Sequence, residues 1–176
     1  GDKLAASEFR NVMTVWNKGY WQTPASLNIE GGLYCVAISP DGKWIATTYG
    51  VYDARDGHQV LSFPAALVPL PTQMYGVAFS PDGRWLAGVS ATGFVVLLEV
   101  GSWTLRDKVS IQEATFITVS FSHDNKYLVT GEDEGAVRLW SIEPLHQVAV
   151  IGHHTSRIKS VAFSPDGKHV ASAGDD

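Results

Sequence analysis

One unit of about 42 residues recurs along this chain, and no other feature restricts the fold so tightly, because such a period belongs to stacked or radial repeat architectures. Ser39-Pro40-Asp41-Gly42 returns as Ser80-Pro81-Asp82-Gly83 and as Ser164-Pro165-Asp166-Gly167, with a degenerate copy, Ser122-His123-Asp124-Asn125, in between. The serines stand 41, 42 and 42 residues apart. Each copy carries turn chemistry. Proline pre-sets φ at the second position, aspartate suits the third, and glycine supplies a left-handed fourth residue. Asn125 is the residue that best replaces glycine there. A tight turn between two antiparallel strands is therefore predicted in every unit.

The strands follow from the alternation around the turns. Before them stand residues 34–38, 75–79, 117–121 and 159–163, with valine in one column (Val36, Val77, Val119, Val161) and a large apolar residue two places later. Small residues fill the columns between, including Cys35, Gly76, Thr118 and Ser160. Alternation of large and small on a period of two predicts a strand packed on both faces, with a neighbouring sheet close by. Second strands follow each turn at 44–47, 85–88, 127–130 and 169–172. Third strands are read at 12–16, 94–98 and 136–140, and weaker fourth strands at 26–29, 60–63, 104–109 and 148–151. Four short strands per unit, without a helical period, predict an all-β array of four-stranded antiparallel sheets.

Composition narrows the function classes. A net charge of −5 argues against a phosphate-gripping, nucleic-acid-binding protein. No apolar run is long enough for a membrane span. Cys35 is the single cysteine, which excludes an intramolecular disulfide and fits a reducing, cytoplasmic location. No phosphate loop, Gly-x-Ser-x-Gly elbow or pair of catalytic carboxylates is present, so no enzymatic activity and no cofactor are expected. His153-His154 has no cysteine or carboxylate at ligand spacing, and Glu132-Asp133-Glu134 reads as an acidic turn, so no metal is expected. Cys35, in a small column, reads as a packed thiol. Trp21, Trp103, Tyr20 and Tyr49 are less clearly core and are candidate anchors for a partner.

The pattern resembles the WD-repeat family over essentially the whole chain. Its most specific stretch is Thr130-Gly131-Glu132-Asp133-Glu134-Gly135-Ala136-Val137-Arg138-Leu139-Trp140, and Gly152-His153-His154 resembles the Gly-His element before an inner strand. The resemblance implies a β-propeller of four-stranded blades, with a partial blade at 1–32, blades at 33–73, 74–115 and 116–157, and a partial blade at 158–176. It also implies a His, Ser/Thr, Asp and Trp network tying each blade together. Thr130, Asp133 and Trp140 fit three places, the fourth falling on Gln112. In the last unit His154, with His153 as the alternative, Ser172 and Asp175 fit. The pattern frays where Tyr52-Asp53 replaces Trp-Asp, where Leu98 replaces tryptophan, and where Pro64 to Pro71 restores the period. Rings in this family commonly have seven or eight blades, so the chain is expected to be a segment of one. The alternative is that two copies pair into an eight-bladed ring.

Function enters through the same resemblance. The expected role is a non-enzymatic scaffold that binds other proteins or peptides, with neither nucleic acid nor membrane as partner. The alternative is an accessory or sensor propeller of a larger signalling enzyme, ATPase or peptidase. The implied binding face carries Tyr34, Tyr75, Phe116 and Arg157 near the inner-strand starts, and Phe9, Arg10, Glu132 and Glu134 at the turns between second and third strands.

Overall fold

A computed structural model of the chain describes residues 3–8, 12–17, 25–28, 35–63 and 74–176. The described residues form seventeen β-strands in five antiparallel sheets. The first sheet joins β1 (Lys3–Glu8), β2 (Val12–Asn17) and β3 (Ala25–Asn28). Three sheets have four strands, in chain order from edge to edge. They are β4 (Val36–Ile38) to β7 (Gln59–Ser62) through β5 (Trp44–Thr47) and β6 (Gly50–Asp53); β8 (Met74–Phe79) to β11 (Leu105–Ser110) through β9 (Trp85–Ser90) and β10 (Phe94–Glu99); and β12 (Phe116–Phe121) to β15 (Leu145–His153) through β13 (Tyr127–Glu132) and β14 (Ala136–Ile142). The last pairs β16 (Ile158–Phe163) with β17 (Val170–Gly174). These are the four-stranded blades of a propeller. The proline-rich 64–71 stretch lies outside the described residues.

The repeated turn explains its own sequence. In each copy the amide of the fourth residue donates to the serine carbonyl, as Gly42 does to Ser39 at 2.8 Å, closing a β-turn whose last residue has positive φ. The serine hydroxyl donates to the aspartate, at 2.6 Å in Ser39–Asp41, and accepts the amide of the first residue of the next strand, Trp44, at 2.9 Å. The same pair of bonds recurs at Ser80, Ser122 and Ser164. Asn125 takes a φ of 61° in the glycine place and adds a bond of its own, its Oδ1 accepting the Asp82 amide of the preceding blade at 3.1 Å.

The core lies between sheets. One cluster joins Trp85, Val89 and Leu97 to Phe116, Leu128 and Trp140, and a second joins Ala46 and Val51 to Met74, Leu86 and Val96. Val129 and Val137 meet Ile158 and Val161 at the last junction. Each fully buried side chain of this size stabilises by about 1.5–3 kcal/mol. The small columns are required by close approach of the inner strands. A Cβ on Gly76 would stand 3.0 Å from the Ile117 carbonyl, and one on Gly131 would stand 2.4 Å from Ile158. Third-strand register is conserved where the sequence is not. Tyr52, Leu98 and Trp140 face Ile45, Leu86 and Leu128, as Trp16 faces Leu4.

Candidate functional site

The face expected to bind partners is built where inner strands begin and where second strands turn into third strands. Backbone bonds tie these two sets of loops together. The turn glycines Gly93 and Gly135 have φ of 81° and 92°, and their carbonyls accept the amides of Ile111 at 2.9 Å and His154 at 2.8 Å. A Cβ on Gly135 would stand 2.3 Å from the His154 carbonyl oxygen, so glycine is the residue that lets the loop come so near. From the following blade, the amides of Asp133 and Asp175 donate to the Thr115 and Arg157 carbonyls at 2.9 and 3.0 Å.

Three inner strands bulge one residue after they begin, at Tyr75, Ile117 and Lys159, where the register shifts against the second strand. A bulge re-aims its side chain, so each blade directs one residue differently from the strand's alternation. Tyr75 is half-buried there, and Lys159 is exposed and pairs with Asp175 at 3.1 Å. Arg157 pairs with Asp133 across the blade junction, and its guanidinium is held above its usual pKa by that bond and by the Asp133 charge. Glu134 is exposed beside them.

Two expected members of the face are buried instead. Phe116 is completely inaccessible and meets Trp140 edge-on, with centroids 5.8 Å apart. Glu132 is 3% exposed and is bound by Arg138, which also donates to Gln147 at 2.9 Å. The reason is alternation, since Thr130 and Glu132 share the face that meets the neighbouring sheet. Tyr34, Phe9 and Arg10 lie outside the described residues, so the face is assembled from Tyr75, Arg157 and Glu134, together with Asp133 and Lys159.

Parts of the internal network are described in two units. In the blade of β12 to β15, the Trp140 indole donates to the Thr130 hydroxyl at 2.9 Å, fully buried. In the last unit, His154 Nε2 meets the Ser172 hydroxyl at 2.7 Å, and Nδ1 meets Asp176 Oδ1 at 2.7 Å. Asp176 Oδ2 accepts the Thr155 amide at 2.8 Å and its hydroxyl at 3.1 Å. These bonds hold the Asp176 carboxyl down to about 2, first through His154 and then through Thr155. The acid of the network is thus Asp176 and not Asp175, whose carboxylate faces Lys159. Period-two alternation from Ser172 reaches Asp176 and skips Asp175, a signal the 42-residue register overlooked. The histidine place of the preceding unit is likewise Ile111, which makes the backbone bond that His154 makes, and not Gln112.

Serine, histidine and aspartate in this order resemble a hydrolytic triad. Here both aspartate oxygens are used within the chain, one by His154 and the other by the Thr155 amide and hydroxyl, so the group ties the loop at 154–155 to Ser172 and Asp176. Among the described residues no cluster of three or more His, Cys, Asp or Glu side chains could hold a metal ion. No described helix is long and apolar enough to cross a membrane.

The family profile described as WD domain, G-beta repeat matches residues 24–58, 70–97, 109–141 and 145–176. Among curated proteins, the guanine nucleotide-exchange factor SEC12 of Rattus norvegicus is 42% identical over 52 residues, covering 30% of this chain and 12% of that protein. Protein HIR1 of Phaeosphaeria nodorum is 38% identical over 66 residues, covering 31% of this chain and 6% of that protein. The chain thus spans a small part of the length of the relatives it matches.

Proposed function

Because the chain belongs to the WD-repeat family, whose propellers serve as protein-interaction scaffolds, we propose that its role is to present the loop face around Tyr75 and Arg157 to another protein or a peptide. The observation that carries this reading is the bulge repeated in three inner strands. It turns Tyr75 and Lys159 away from the strand's alternation, beside the Arg157–Asp133 and Lys159–Asp175 pairs. An aromatic residue among charged pairs suits a protein partner. The scaffold is non-enzymatic and cytoplasmic, and acts on neither nucleic acid nor membrane.

The test compares proteins retained by the immobilised chain with those retained by the Tyr75→Ala, Arg157→Glu double variant, after circular dichroism has shown the variant folded. Partners lost by the variant support the reading, and an unchanged set overturns it. A second reading, an accessory propeller of a larger enzyme, is favoured by the likeness to a relative named a guanine nucleotide-exchange factor. Exchange activity that depends on this segment within its parent protein would select it. Pairing of two copies into one ring is decided by sedimentation, where twice the 19.1 kDa chain mass supports it and the monomer mass rejects it.

A further inference from the structure

The outermost strand of each blade is a sheet edge, and β11 and β15 follow one plan with opposite surfaces. Between β10 and β11 the register runs Val96 to Lys108 and Leu97 to Asp107, then shifts past Arg106 before Leu98 meets Leu105. Between β14 and β15 it runs Arg138 to Val150 and Leu139 to Ala149, then shifts past Val148 before Trp140 meets Gln147. Val148, Ala149 and Val150 therefore hold the places of Arg106, Asp107 and Lys108. Apolar residues stand in three consecutive places where the preceding blade carries charge.

Burial does not account for them. Val148, Val150 and Ile151 are 49%, 50% and 44% exposed, three of the five large hydrophobic side chains that face water among the described residues. Val150 shares a sheet face with Arg138 and Trp140, which turns toward the blade of β8 to β11, and that blade leaves half of it uncovered. Register shifts at Val148 and Ile151 mark bulges, which re-aim side chains. No described strand pairs with the outer edge of β15. The strand is nine residues long and contains no Lys, Arg, Asp or Glu, the residues that commonly blunt such an edge.

We propose that β15 pairs antiparallel with β15 of a second copy of this chain, about a two-fold axis at Ala149. Ala149 is the midpoint of Leu145–His153, so this register uses the whole strand. It sets Val148 of each copy against Val150 of the other, and Ala149 against itself. β-branched residues directly opposite one another stabilise a sheet, whereas like charges there destabilise it. The same register at β11 sets Arg106 against Lys108 twice and Asp107 against itself, so of these two edges only β15 tolerates its own copy. A two-fold contact of this kind closes at the dimer. It lies on the outer rim, independent of the Tyr75 face, and differs from the closing of two copies into one ring, which joins blades side to side.

The test is sedimentation equilibrium of the whole chain from micromolar to millimolar concentration. The mass is expected to rise reversibly from 19.1 kDa to twice that value and no further. Val148→Lys with Val150→Lys opposes lysine to lysine, at places where the preceding blade carries arginine and lysine, and should weaken association about tenfold or more. Val148→Glu with Val150→Glu should do the same. Mixed in equal amounts, the two variants oppose lysine to glutamate and should associate again. Circular dichroism checks folding. Should a double variant not fold, Ala149→Asp, which brings in the residue of the preceding blade and opposes two carboxylates, decides by the same loss. A monomer at every concentration, a mass beyond the dimer, a dimer that survives these substitutions, or a mixture that stays monomeric overturns the proposal.

Discussion

The blade of β12 to β15 and the described strands of the unit that follows it present two parts of one kind of hydrogen-bond network, a buried one and a loop one, and comparing them separates what stabilises from what positions. The first keeps the buried half, Trp140 on Thr130, with an isoleucine at the histidine place and Glu134 at the acid place. The second shows the loop part, His154 between Ser172 and Asp176, partly exposed to water. A buried bond whose loss strands a donor matters to global stability, whereas an exposed charged group is screened. The first half should therefore control unfolding, and the second the shape of the loop that leads to Arg157.

Removing the buried half should have the largest effect. Trp140→Ala empties a fully buried site between two sheets and is expected to cost about 3–5 kcal/mol by denaturant unfolding. A cost below about 1 kcal/mol would show that the sheets do not depend on this junction. Next comes Thr130→Val, which keeps the shape and strands the Trp140 indole N–H. It should cost about 1–3 kcal/mol. Should the loss be no greater than for Thr→Val at an exposed strand position, the indole must find another acceptor and the comparison fails.

The loop half is separated by pH. Asp176 has its carboxyl lowered from 3.8 to about 2, so its bonds help the folded state fully above the unfolded value. That help is lost as pH falls through about 2. Between pH 5 and 3 the Thr155 amide should stay protected from exchange, and Asp176→Asn should remove that protection without moving the denaturant midpoint appreciably. A titration of the Thr155 amide centred near pH 4 would sink this assignment.

How far the sequence was legible follows from which period carried each feature. The 42-residue register and the alternation of two within strands were both written in side-chain size, so the blades, the turns and the Tyr52 and Leu98 substitutions at the tryptophan place could be read directly. Residues at loop ends were not, because a long register accumulates error wherever a loop changes length. Between Ile111 and Thr115 the chain has one residue more than between His154 and Arg157, and Glu113 absorbs it with a φ of 64°. Counting 42 back from His154 therefore lands on Gln112 and misses Ile111. Phe116 and Glu132 failed as surface residues for a related reason: position near a loop was read, and the face of the strand was not. The second role of the turn serine, as acceptor for the amide five residues on, has no signature beyond its recurrence.

That loop difference supports the smallest and sharpest prediction. Gln112→His is the substitution the repeat spacing recommends for restoring the missing histidine. Gln112 is exposed, and the backbone bond to the turn glycine belongs to Ile111, so an imidazole at 112 has no path to Thr130. The variant should change stability by less than about 0.5 kcal/mol, as surface substitutions away from special features do. Its imidazole should titrate like that of a solvated peptide, followed by NMR. A stabilisation of about 1 kcal/mol, or an imidazole held by the Thr130 hydroxyl, would mean that the loop can shed its extra residue. In that case the lack of the loop part in the blade of β12 to β15 reflects side-chain identity alone and not the path of the backbone.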